Sequence, residues 1–165
     1  MVLTGACGGS PSRPSEPVFI AAAGIWRGDI RLTSGTGKPC VGAAFHSAAG
    51  ITFDYTLRVK QSARQVTAAS MSPATGIVCE LTGTAGASSV ALSLTSCADT
   101  LPPRFFNCEG NIFRDALPSG LTVNANISGN SLPGSYAETY DFFESGTSTK
   151  LGTATLNAQL TLSRQ

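Results

Sequence analysis

Ile51-Thr52-Phe53-Asp54-Tyr55-Thr56-Leu57-Arg58-Val59-Lys60 is the stretch that decides the fold. Ile51, Phe53, Tyr55, Leu57 and Val59 alternate with Thr52, Asp54, Thr56, Arg58 and Lys60, a period of two that a helix would scatter around its axis. The pattern predicts an antiparallel strand with one face in a core and the other in water. Toward the N-terminus the same period returns: Trp26, Ile30 and Leu32 share a face, with Arg27, Asp29, Arg31 and Thr33 opposite. Trp26, the only tryptophan, is therefore expected to point into the core. Arg27-Gly28-Asp29 spells a cell-adhesion tripeptide, but inside a strand it would not be displayed on a loop tip.

Toward the C-terminus, 65–70 carries Val66 and Ala68 in a weaker alternation. Residues 77–82 turn through Gly83-Thr84-Ala85-Gly86 into 89–95, where Val90, Leu92 and Leu94 share a face, which predicts a hairpin. Short segments at 104–108 and 112–117 follow Pro102-Pro103. Leu121, Val123, Ala125 and Ile127 alternate with polar residues up to Gly129-Asn130; Tyr136, Tyr140 and Phe142 mark another strand. The last strand spans 151–163, with Ala154, Leu156, Ala158, Leu160 and Leu162 on one face. Short Gly, Ser and Asn turns without a helical period predict an all-β fold, an antiparallel up-and-down meander closed into a barrel of about eight strands. Closure removes the two edges that would otherwise aggregate. Segments 38–45 and 104–108 decide between eight and ten strands, and a two-sheet sandwich is the alternative fold.

The chain of 165 residues, 42% of them hydrophobic, is enough for one core, so 21–165 is expected to form a single domain. Charged residues make up only 13% and the net charge is +1, without a basic run, so the footprint of a nucleic-acid binder is missing. No apolar run approaches the length of a membrane helix. Residues 1–20 read as a lipoprotein-type signal remnant and a flexible tether rich in Pro, Gly and Ser. Leu3-Thr4-Gly5-Ala6-Cys7 resembles the lipobox of bacterial lipoproteins, which implies acylation of Cys7, attachment to a membrane through that lipid, and a cell-envelope or secreted address. Setting Cys7 aside, Cys40, Cys79, Cys97 and Cys108 form an even set in a chain that reads as exported. Without a Cys-x-x-Cys pair, and with His46 the only histidine, a zinc site is not expected. A hairpin centred on 98–103 would place Cys97 opposite Cys108, leaving Cys40 with Cys79; four reduced thiols are the alternative.

Gly24-Ile25-Trp26 resembles the Gly-x-Trp of calycins, the group that includes lipocalins, fatty-acid-binding proteins and avidins. Arg164 shares parity with Leu160 and Leu162, and the resemblance implies that it closes the barrel by packing across Trp26. Gly134-Ser135-Tyr136 is similar to the Gly-Thr-Tyr of avidins. The chain lacks a lipocalin-type Thr-Asp-Tyr segment and a residue set matching a biotin site. The resemblance implies a barrel that holds a small apolar molecule.

Chemistry-bearing residues are sparse. His46 lies in a small-residue turn without a nominated partner, and no nucleophile elbow supports a Ser-His-Asp triad, so an enzyme is not expected. Neither a cofactor nor a metal is expected. Paired carboxylates among Asp29, Asp54, Glu138 and Asp141 read as solvated strand faces. Glu138 shares parity with Tyr136 and Tyr140; if that face is inward, a carboxyl and two phenols line the cavity, and if the strand is rotated they are surface residues. The inward set expected to line a ligand is Trp26, Phe53, Tyr55, Leu57, Leu92, Leu94, Val123, Leu156 and Leu160, with Tyr136, Glu138 and Tyr140. The expectation is a tethered barrel binding a small hydrophobic ligand. The alternative is a structural or interaction lipoprotein whose barrel is filled by its own side chains.

Overall fold

The structure, a computed structural model, describes residues 18–37, 49–72, 76–98, 105–108, 111–114, 118–144 and 147–165, with 105–108 and 111–114 as backbone alone. The described residues contain strands and no helix: β1 (Gly24–Thr36), β2 (Thr52–Ser62), β3 (Gln65–Met71), β4 (Val78–Ala85), β5 (Ser89–Cys97), β6 (Phe105–Cys108), β7 (Asn111–Arg114), β8 (Pro118–Asn126), β9 (Ser131–Glu144) and β10 (Lys150–Arg164). Antiparallel pairing runs from β1 to β5, passes to β8, β9 and β10, and returns from β10 to β1. Eight strands thus close into a barrel without a free edge, which excludes the sandwich. β6 and β7 pair with each other, and β7 joins the sheet at the end of β9 through Phe113↔Glu144 and Arg114↔Phe143. The 104–108 segment therefore does not enlarge the ring; 38–45 lies outside the described residues.

The alternation seen in the sequence becomes the inner wall. Trp26, Ile30, Leu57, Leu81, Leu92, Leu121, Leu160 and Leu162 are all buried, each stabilising by about 1.5–3 kcal/mol relative to exposure. Strands approach closely at Gly28, Gly83 and Gly134. A Cβ on Gly83 would lie 1.8 Å from the Ala91 carbonyl oxygen, and one on Gly134 would lie 2.3 Å from that of Asn124. Only a residue without a side chain fits where the sheet coils this tightly.

One end of the barrel is sealed. The segment 18–23 crosses it, with Ile20 N donating to Gly86 O and Ala22 N to Gln61 Oε1. Gln61 Nε2 returns a bond to Ile20 O, so the segment is held from both the β4–β5 turn and β2. Beneath it Trp26 is fully buried and donates from Nε1 to Ala22 O at 2.8 Å. Arg164 lies over the Trp26 ring, 4.6 Å from its centroid, and donates to Ala21 O.

The disulfide pairing differs from the expected one. Cys79 and Cys97 are direct partners in the β4–β5 ladder, with Cα atoms 4.0 Å apart, and they form a disulfide. That overturns Cys97 with Cys108 and Cys40 with Cys79. The reason is topological: β5 continues into a ladder with β8, while Cys108 ends β6, which pairs with β7. Cys7, Cys40 and His46 lie outside the described residues, as does the side chain of Cys108.

Candidate ligand site in the barrel lumen

The strand β9 sends Leu132, Tyr136, Glu138, Tyr140 and Phe142 inward, so the parity left open by the sequence is resolved: the carboxyl and both phenols are buried. Glu138 is fully buried, the only buried carboxyl among the described residues, where no Lys, Arg or His is buried. Its Oε2 accepts from the Tyr136 hydroxyl at 2.8 Å. Its Oε1 has no hydrogen-bond partner. Burial pushes the carboxyl above the ordinary glutamate value, and the nearby hydroxyls of Ser72, Tyr140 and Tyr136 oppose that only in part. The group is thereby driven toward its neutral form, in which one oxygen donates and the other accepts.

Phenols and serines complete the cluster. Tyr55 meets Tyr136 edge-to-face across the lumen, with ring centroids 5.4 Å apart. The Ser70 hydroxyl donates to the Tyr55 oxygen, and the Ser72 and Tyr140 oxygens lie 3.2 Å apart. Burial raises the Tyr55 and Tyr136 pKa values, so neither phenol ionises near neutral pH. These groups sit toward the end opposite Trp26, the end at which β1–β2, β3–β4 and β9–β10 are joined.

A second feature lies in the wall. β2 and β3 pair from Ser62↔Gln65 up to Leu57↔Ser70, and beyond that point 52–56 pair with β1 alone among the described residues. A cleft of about 450 Å³ occupies this notch. Ser70 and Ser72 form its inner side, Phe53 and Met71 its flanks, and Arg27 and Arg58 its outer lip.

Of the residues expected to line a ligand, Trp26, Tyr55, Leu57, Leu92, Val123, Tyr136, Glu138, Tyr140, Leu156 and Leu160 are buried and inward. Trp26 belongs to the sealed end, facing Leu57 in the β1–β2 ladder, one inward position short of Tyr55. Phe53 and Leu94 are only half-buried, packing against the core from its margin. Sequence reasoning missed Ser70 and Ser72, although both continue the inward parity of Val66 and Ala68. Among the described residues no group of three or more His, Cys, Asp or Glu could hold a metal ion.

The chain is an eight-stranded antiparallel β-barrel, an architecture compatible with that of calycins. No protein-family model, curated protein or solved structure matches it.

Proposed function

We propose that this barrel binds a small, mainly apolar molecule carrying one carbonyl or hydroxyl oxygen, held in the lumen against Glu138. One observation carries the reading: a buried carboxyl, pushed toward neutrality beside the hydroxyls of Ser72, Tyr136 and Tyr140, leaves Oε1 without a hydrogen-bond partner. Such an atom costs about 1–3 kcal/mol of unrecovered desolvation, and a ligand oxygen accepting from a protonated Oε1 recovers it. The apolar remainder of the ligand gains about 25 cal/mol for each Å² removed from water. In this reading the chain acts by binding rather than catalysis, tethered through Cys7 at a bacterial envelope or secreted.

A second reading, a barrel filled by its own side chains, is favoured by the Tyr55–Tyr136 contact, which already spans the lumen. Displacement of an environment-sensitive apolar dye separates the two. Ligand binding predicts saturable dye uptake, displacement by medium-chain alcohols and ketones in preference to alkanes of equal size, and loss of that preference in Glu138→Leu, which removes the donor, but not in Glu138→Gln, whose amide still donates. It also predicts weakening by Leu94→Trp, which adds bulk at a half-buried margin. A folded protein without saturable uptake would leave only the filled barrel.

A further inference from the structure

The geometry points to a second binding site, on the outer wall, in the notch between β2 and β3: a site for a single anionic amphiphile. It goes beyond the lumen reading and stands whether or not the lumen is occupied. The notch exists because β3 is short, so β2 extends past the last β2–β3 pair without a neighbour on that side among the described residues.

Two kinds of surface meet in it. Met71 and Val78, direct partners in the β3–β4 ladder, are 56% and 41% exposed side by side on the outer face. With half-buried Phe53 they form an apolar strip that continues into the cleft. Exposed large hydrophobic side chains clustered at a cavity, rather than scattered, mark a surface that takes an apolar partner.

The lip is cationic. Arg27 faces Thr56 across the β1–β2 ladder, and Arg58 follows two residues along β2 on the same outer face. The only salt bridge among the described residues is Lys150–Asp141, on the β9–β10 pair, so neither guanidinium has a carboxylate within ion-pair distance. Asp54 also lines the cleft, leaving two guanidiniums against one carboxylate and a net positive lip. An acidic head accepting from the two planar forks, with its hydrocarbon along Phe53, Met71 and Val78, satisfies both surfaces. The volume, about 450 Å³, holds a chain of medium length and not a bilayer patch.

Titration calorimetry with octyl phosphate below its micellar concentration tests the site. Octyl phosphate is expected to bind saturably at one per chain. Octanol and inorganic phosphate, each carrying half of the recognised chemistry, are expected to bind at least about tenfold more weakly, the value of one charge-assisted contact. Arg27→Gln and Arg58→Gln should each weaken octyl phosphate by a similar factor, and Met71→Glu, at an exposed position, should abolish binding with the strand spectrum intact. Leu94→Trp, which adds bulk at the margin of the lumen and not at the notch, separates the two sites: retained octyl phosphate binding keeps the amphiphile on the outer wall. The proposal is overturned by an absence of binding, by octanol or phosphate alone matching octyl phosphate, by indifference to the arginine and Met71 substitutions, or by loss in Leu94→Trp. Association with phosphatidylglycerol vesicles without binding of the free amphiphile would also overturn it, since that is a membrane surface.

Discussion

Glu138 is the residue on which the chemistry of this barrel turns, and its protonation makes a testable statement about stability. Its pKa is raised in the folded state, chiefly by burial. Between the ordinary glutamate value and the raised one, the folded chain keeps a proton that the unfolded chain releases. Stability is therefore fullest below the ordinary value and falls as pH rises through the folded pKa, by about 1.4 kcal/mol for each pH unit separating the two pKa values. Glu138→Gln should remove this decline, so the variant gains on the wild type as pH rises; urea midpoints across the acid-to-neutral range measure it, and parallel curves would contradict it. At the sealed end, Arg164→Ala removes both the contact on Trp26 and the bond to Ala21 O. A loss of about 1–2 kcal/mol is expected, with a red shift of the emission of Trp26 as its cover is removed. An unshifted spectrum would mean that the arginine does not shield the ring. The calycin resemblance, with matching parity at Trp26 and Arg164, brought these two residues together on paper; what it could not show is the 18–23 segment stapled over them, because that depends on Gln61 reaching across from β2.

At the scale of elements, the strands were legible wherever one face is buried and the other wet, because a one-residue slip would exchange core for solvent. β2 and β10 read almost as they stand, Thr52–Ser62 and Lys150–Arg164. The cysteines were not legible, because pairing depends on which strand follows β5 in the sheet rather than in the chain. β5 goes on to β8, and the β6–β7 hairpin is set aside on the end of β9. Non-reducing peptide mapping should recover Cys79 linked to Cys97, and reduction should cost about 3 kcal/mol for a loop of this length on the chain-entropy model. Recovery of Cys97 linked to Cys108 would contradict the ladder register. The close approach of β4 and β5 is equally exposed to test. Gly83→Ala puts a methyl group against the Ala91 carbonyl and should destabilise by about 1–3 kcal/mol, read as a lowered denaturation midpoint. An unchanged midpoint would show that the two strands can part there at no cost.

For the whole molecule, barrel closure joins two ends with opposite characters: one stapled shut over Trp26, the other enclosing a carboxyl, its pKa raised by burial, among phenols and serines. The alternation on β9 showed that Tyr136, Glu138 and Tyr140 share a face, but not which face, since Ala137, Thr139 and Asp141 opposite them are no more apolar than a mixed interior would be. Only closure against β8 and β10 turns that face inward. The notch between β2 and β3 was foreshadowed only by the unequal lengths of the 51–60 and 65–70 alternations, and the ladder register is what places it. The central claim, that the lumen receives a ligand against Glu138, is tested most directly by native and denaturing mass spectrometry of the protein purified from its own cells. The account predicts a native mass above the chain's own, by a small molecule that is released on denaturation, extracts into organic solvent and carries a carbonyl or hydroxyl oxygen. A native mass equal to that of the chain alone, from a preparation that also takes up no apolar dye, would contradict it and leave a barrel packed solid by its own side chains.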